Sequence, residues 1–394
     1  MKQTIIIVSG ARPNFPKVAP IIAAISRLPV PRRPRVVHVH TGQHYDFMLS
    51  QVFFDELRIP KPDHFLAAGS GSHAVQTAAV MAAFERVLLA VKPAMVVVVG
   101  DVNSTLACAL TAAKLGIAVA HVEAGLRSGD QSMPEEINRV LTDQLADLLF
   151  TPSHDAGVNL VQEGRPKKSI RFAGNVMIDS LQAQLPLAMQ RPLLRDLGLE
   201  RSGAVRPYAL VTLHRPSNVD DQATFTGIIR ALQQIARGLP VLYPAHPRAR
   251  ASIKQFGLRQ VFTQIQSPQP AIGPNGLYLM DLLGYLDFIR AEMGAACVRT
   301  DSGGVQEETS YLGVPCLTIR ANTERPVTIS LGTNRLAGVS TASILKAWRA
   351  FRKQQTPSLS VGSPKIPRCR IPRWDGHAAP RIAEAIVRFL HKQT

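Results

Sequence analysis

Along the first half of the chain, short apolar runs alternate with longer stretches whose apolar positions recur every three to four residues. That is the pattern of repeated β-α units feeding a parallel sheet. Strands are expected near 4–9, 36–40, 95–99, 118–122, 147–151 and 170–174, with helices at about 17–28, 47–56, 73–91, 104–115, 135–146 and 153–163. The run Met95-Val96-Val97-Val98-Val99 is continuous and β-branched, as in a strand covered by helices on both faces. Beyond about residue 185 the pattern lapses into a connection holding Pro186, Arg191-Pro192 and Arg201-Ser202-Gly203, and a second series opens at Tyr208-Ala209-Leu210-Val211-Thr212-Leu213. Its further strands are expected near 240–244, 277–280, 296–300, 315–319 and 334–338, and its helices near 222–237, 250–256, 282–293, 303–312 and 341–353. A last helix, about 378–391, follows Trp374-Asp375-Gly376-His377. The expected division is a first domain over 1–187, a second over 188–377 and a closing helix over 378–394.

Composition agrees with two packed domains, since 394 residues exceed what one core organises and 46% are apolar. No apolar run approaches the roughly 20 residues that span a bilayer, and the first residues run straight from Ile5-Ile6-Ile7-Val8 into a polar turn. A cytoplasmic protein that does not engage a membrane is expected. Four cysteines, at 108, 297, 316 and 369, show no paired spacing for a disulfide framework or a metal site. Lysine and arginine exceed the acids by 17, which calls for an anionic partner. Many of the arginines lie in Pro/Arg-rich connections such as 31–35, 247–250 and 367–373, with few aromatics between them. Nucleic-acid binding is therefore not expected, and most of these arginines read as a solvated surface.

In open α/β sheets ligands bind beyond the carboxyl ends of the strands. The turns there are loaded with polar residues: Ser9-Gly10-Ala11-Arg12-Pro13-Asn14, Gly100-Asp101-Val102-Asn103-Ser104, His121-Val122-Glu123-Ala124-Gly125, Leu213-His214-Arg215-Pro216 and Thr300-Asp301-Ser302-Gly303-Gly304. Paired glycines opening a helix at 303–304 let backbone N–H groups approach an anion, which makes a phosphate seat. No Walker lysine follows it and no GxGxxG follows the first strand, which disfavours P-loop hydrolysis and NAD binding. Glu307 and Glu308, just inside that helix, read either as partners of its dipole or as acceptors of ribose hydroxyls. Asp101, Glu123 and Glu135, close to the cations Arg12 and Lys17, read as an acid/base group, with helix capping as the alternative for Asp101 and Glu135. His38 and His40 share a strand face, and with His44 or Asp46 they are the one place for a metal; satisfied strand histidines are the expected outcome.

These blocks, together with Gly-Gln-His-Tyr-Asp at 42–46, Met-Pro-Glu-Glu-Ile-Asn-Arg at 133–139, Asp-Ser-Gly-Gly-Val-Gln-Glu-Glu at 301–308 and Glu-Arg-Pro at 324–326, resemble the non-hydrolysing UDP-N-acetylglucosamine 2-epimerase family. The resemblance implies two doubly wound Rossmann-like domains facing across a cleft, a glycosyltransferase-B-type α/β fold, with the last helix crossing back to the first domain. It implies inversion at C2 of a UDP-2-acetamido sugar by elimination and re-addition of UDP, without a cofactor, in an enzyme expected to be a homodimer. By the same matching, Asp101, Glu123, Glu135 and His214 would be catalytic. Arg12, Lys17, Phe288, Ser302, Gly303, Glu308 and Arg325 would bind the substrate. The chain departs from the family at Ala11 and Asn14, and again at Tyr45-Asp46, a region where some members bind a regulatory substrate molecule. A hydrolysing 2-epimerase, or a glycosyltransferase that needs an acceptor, is the alternative.

Overall fold

The computed structural model describes residues 3–42, 56–57, 59–69, 71–265, 272–354 and 369–392. The expected helix at 47–56, apart from its final residue, lies outside them, as do His44 and Asp46. The chain forms two compact units, Met1–Ala183 with Pro372–Thr394, and Gln184–Ile371.

In the first unit the strands are β1 (Thr4–Ser9), β2 (Arg35–His40), β3 (His64–Phe65), β4 (Met95–Val99), β5 (Ala118–Val122), β6 (Leu148–Thr151) and β7 (Ile170–Phe172). They pair in parallel in the order β3-β2-β1-β4-β5-β6-β7. All five residues of β4 are buried, as its β-branched run requires. The helices are α1 (Phe15–Ser26), α2 (His73–Val91), α3 (Asn103–Lys114), α4 (Pro134–Leu145), α5 (His154–Gln162) and α6 (Val176–Met189). By length and composition α2 could cross a membrane, but Val80, Phe84, Val87 and Leu88 on its inner face belong to the core beneath the sheet.

The second unit repeats the plan. A two-residue hairpin, β8 (Glu200–Arg201) with β9 (Ala204–Val205), precedes β10 (Ala209–Thr212), β11 (Pro240–Pro244), β12 (Thr263–Gln264), β13 (Gly276–Met280), β14 (Cys297–Thr300), β15 (Cys316–Thr318) and β16 (Asn334–Leu336). The parallel order is β12-β13-β11-β10-β14-β15-β16. The longer helices are α7 (Gln222–Ala236), α8 (Pro247–Gln255), α9 (Tyr285–Gly294), α10 (Gly303–Leu312) and α11 (Thr341–Gln354). Phe225, Ile228, Ile229 and Ile235 of α7 pack with Val211, Val241 and Leu277 from the strands. The closing helix, α12 (Ala378–His391), belongs to the first unit and lies against α1, burying Ile382, Ile386, Val387 and Leu390.

Both sheets are doubly wound, with the strand order reversing between β1 and β4 in one unit and between β10 and β14 in the other. A crevice opens beyond the strand ends at such switch points. The turns after those four strands carry Arg12, Asp101, His214 and Ser302.

Candidate functional site

In the first unit, the turn after β1 is closed by Asn14, whose Oδ1 accepts from Gly10 N and Ala11 N at 3.0 Å each while Nδ2 donates to Val99 O at 3.2 Å. Arg12 lies within this turn, in the short 3-10 helix Arg12–Asn14. One turn on, Lys17 is buried in α1 and its Nζ pairs with Oε2 of Glu123. Gly100 makes room for that pair: a Cβ there would sit 3.0 Å from the Lys17 ammonium, and the φ of +70° suits glycine. Glu123 itself has φ +73°, an uncommon conformation for a side-chain-bearing residue, and strain of this kind gathers at functional sites. Its other oxygen, Oε1, is buried with no hydrogen-bond partner among the described residues. A buried carboxylate with one oxygen ion-paired and the other unpartnered has a lone pair to offer a proton.

Asp101 is about a quarter exposed, and its Oδ2 lies 3.2 Å from Nη1 of the buried Arg139. Asn138 donates to its backbone carbonyl at 2.9 Å. Glu135 projects exposed from the first turn of α4, while Glu136 beside it is buried and accepts from Ser128 N, Gly129 N and Ser128 Oγ. The structure thus brings Lys17 to Glu123 and Arg139 to Asp101, and leaves Glu135 facing solvent. His38 and His40 are strand histidines held by Ser9 Oγ at 2.9 and 3.1 Å. Burial drives the His38 pKa down to about 4.

In the second unit, His214 directly follows the strand end at Leu213. Its Nδ1 lies 3.0 Å from Asp301 Oδ1 and its backbone N–H donates to the same carboxylate. Burial pushes the Asp301 pKa up, but the bonds from His214, Arg215 N and Asn218 outweigh that, and it stays below the usual carboxylate range. Anchored through Nδ1, the half-exposed imidazole keeps Nε2 for a ligand. Ser302 caps α10, and Gly303 opens it. A Cβ on Gly303 would fall 2.3 Å from Arg325 Nη1, so glycine there is what lets the guanidinium lie on the helix start. Arg325 is fixed by Glu307 and Glu324, each at 2.5 Å. Of the two readings of Glu307, the structure supports neither dipole partner nor ribose acceptor first: it is the counter-ion of Arg325. Glu308 is buried and accepts from Tyr285 Oη at 3.0 Å. Burial, only partly offset by Tyr285, raises its pKa to about 7. Phe288 is half-buried in α9, one turn beyond Tyr285.

Several residues around these sites gain a role only from the structure, although Asp301, Asn138 and Arg139 stand within the sequence motifs. Asp301, Tyr285, Asn138, Arg139 and Asp143 each hold a candidate residue or its turn. The signal for the last three is a helix with its faces reversed: α4 buries Glu136, Asn138, Arg139, Thr142 and Asp143 while Ile137 and Leu141 are exposed.

Two parallel sheets, each reversing its strand order at a switch point lined by polar turns, place the chain among the doubly wound α/β proteins. Residues 31–387 match the family described as UDP-N-acetylglucosamine 2-epimerase. The UDP-N-acetylglucosamine 2-epimerase of Methanocaldococcus jannaschii is 40% identical over 349 residues, 88% of this chain and 91% of that protein. The UDP-2,3-diacetamido-2,3-dideoxy-D-glucuronate 2-epimerase of Pseudomonas aeruginosa is 39% identical over 348 residues, again 88% and 91%. A crystal structure of the M. jannaschii UDP-GlcNAc 2-epimerase in complex with UDP-GlcNAc and UDP superposes with a TM-score of 0.83 at 35% identity, covering 98% of this chain and 99% of that one. The chain belongs to the UDP-N-acetylglucosamine 2-epimerase family, and it is an isomerase.

Proposed function

We propose that the protein interconverts UDP-N-acetylglucosamine and UDP-N-acetylmannosamine, or the epimers of a close UDP-2-acetamido sugar, by eliminating UDP and adding it back with C2 inverted. The relative that acts on a diacetamido uronate supports keeping the sugar class open. The observation that carries the reading is Glu123, whose unpartnered Oε1 is placed to take a proton while Lys17 holds the other oxygen.

The reaction removes the proton at C2 as the anomeric C1–O bond breaks, leaving a 2-acetamidoglucal and UDP. A proton exchanged with solvent is then delivered to the opposite face of C2 as UDP re-adds at C1. The departing diphosphate gains charge, so donors must be in place before it leaves. In the second unit His214 Nε2, the N–H groups at Gly303 and the Arg325 guanidinium supply them. Glu308 takes the ribose hydroxyls and Phe288 lies by the nucleotide. Glu123 and Asp101 exchange the C2 proton, and Glu135, free in solvent, completes the relay. No step calls for NAD or a metal, in keeping with a first turn that lacks the glycine fingerprint. We place the enzyme in the cytoplasm, in keeping with its four free cysteines, and as a homodimer, in keeping with the outward Ile137 and Leu141.

The test is turnover of UDP-N-acetylglucosamine in deuterated water with a chelator present. Product is expected to carry deuterium at C2 at an undiminished rate; product that keeps protium there, or activity abolished by chelation, would overturn the proposal.

A further inference from the structure

His121, in β5, is completely buried and so is Asp143 on α4. The imidazole Nδ1 lies 2.7 Å from Asp143 Oδ1, and Nε2 lies 2.8 Å from the carbonyl oxygen of Gly100. A carbonyl oxygen can only accept, so Nε2 carries a proton. Asp143 also accepts from Gly125 N at 3.0 Å and pairs with Arg127 Nη2 at 2.7 Å. Burial works to raise its pKa, but His121 and Arg127 outweigh that and hold it below the usual range. With the Arg127 guanidinium and the Gly125 N–H both on Oδ2, Asp143 is held ionised without the imidazole, so Oδ1 accepts as well and Nδ1 carries a proton too.

We infer that His121 is a buried imidazolium which, with Asp143 as its counter-ion, clamps the Asp101 turn to the Glu123 turn and fixes the distance between the two carboxylates. The inference rests on the reading of those carboxylates as the acid/base pair. His121 grips Gly100, the residue before Asp101, and Asp143 grips Gly125, two residues after Glu123. The same helix adds Asn138 on the Asp101 carbonyl and Arg139 by its carboxylate. Charge within the cluster balances, because Arg127 also meets Glu163 at 2.6 Å. The left-handed backbone of Glu123 persists only where its surroundings over-determine it, and this clamp is what does so. His121 and Asp143 touch no substrate; they are positioning residues. Misplacing a catalytic group by about 1 Å can cost roughly a hundredfold in rate.

Two measurements test this. In the full-length enzyme labelled with nitrogen-15 histidine, the His121 resonances, assigned with His121→Gln, are expected to show two protonated ring nitrogens at the assay pH. In Asp143→Asn, the amide can donate to Nδ1, and one of those ring protons is expected to be lost. Both variants are expected to lose about ten- to hundredfold in kcat, while KM for UDP-N-acetylglucosamine and UDP affinity change less than about twofold. A wild-type imidazole with a single ring proton overturns the clamp, as does wild-type kcat in the folded variants. If neither variant folds, His121 is assigned in the wild-type enzyme through nuclear Overhauser contacts of its ring protons with Gly100 and the residues around Asp143, and the wild-type spectrum decides. Normal turnover by Asp101→Asn and Glu123→Gln would sink the acid/base reading while leaving the imidazolium signature intact, so the two failures are distinguishable.

Discussion

At the scale of single residues, the site divides into groups that meet the substrate and groups that aim them. His214 is the clearest case, because Asp301 holds both its Nδ1 and its backbone N–H, so the ring is oriented before any ligand arrives. Replacing it with alanine removes one donor to the departing diphosphate, and turnover is expected to fall about a hundredfold, roughly 3 kcal/mol, with little change in folding. Steady-state kinetics beside a thermal melt checks this; a His214→Ala enzyme that turns over normally makes the histidine a purely structural partner of Asp301. The three carboxylates are expected to be unequal. Glu123 is buried against a lysine, Asp101 is partly exposed beside an arginine, and Glu135 is in solvent. Glu123→Gln and Asp101→Asn should therefore lose turnover with UDP affinity kept, and Glu135→Gln should lose less. Proton exchange at C2, scored separately from net epimerisation, ranks them; equal losses in all three would mean that environment does not divide the work. Most of these residues were legible from their place at strand ends, because that is where a parallel sheet opens to ligand. The roles of Asp143, Arg139 and Tyr285 were not, since a partner that acts through another side chain leaves no mark of its own at a turn.

At the scale of elements, the strands and the longer helices follow from the apolar pattern, and the exceptions have physical causes. The helix Val176–Met189 is missing from the expected elements, and Pro186 inside it stands where the sequence suggests a connection. The chain passes from one unit to the other within it. The pairs β3, β12 and β8-β9 are two residues long each, too short to show a period. Helix α4 has the right length but the inverted pattern, with charged residues inward, and its periodicity locates the helix without telling which face is covered. The helix α12 is tied down at its start by Asp179, which accepts from Ala378 N at 3.1 Å and Ala379 N at 2.8 Å. Burial raises the Asp179 pKa from 3.8 to about 6 against the pull of those two N–H groups. A raised acid pKa means the folded state binds the proton more tightly than the unfolded one, so stability falls as pH rises from about 4 to about 6 and is level above that. The gap is worth at most about 3 kcal/mol. Asp179→Asn should remove this decline, and hydrogen-exchange protection of the α12 amides, measured at several pH values in both proteins, reads it. Protection that falls equally with pH in the two would show that some other group is responsible.

At the scale of the whole molecule, the excess of 17 positive charges is larger in effect than the count suggests. Many of the acids are spent inside, in pairs that cancel: Glu123 with Lys17, Asp143 with Arg127, Glu307 with Arg325 and Glu324 with Arg320. Removing balanced pairs from the tally leaves the same excess spread over fewer, mostly exposed groups, so the surface carries the net charge. The proposed substrate is an anion through its diphosphate, and a positive surface raises the encounter rate of an anion. Such steering is screened once the Debye length drops from about 10 Å at 0.1 M salt to about 3 Å at 1 M. Raising sodium chloride over that range should lower kcat/KM by roughly tenfold, the low end of steering effects, while kcat at saturating substrate stays nearly level because the ion pairs around Glu123 and Arg325 are buried. A neutral viscogen control separates steering from slowed diffusion. Duplex DNA added at matched ionic strength should leave the rate unchanged, since the arginine-rich connections lack the interleaved aromatics that would stack on bases. If kcat/KM ignores salt but DNA inhibits, the surface charge serves a polyanion and not the nucleotide sugar.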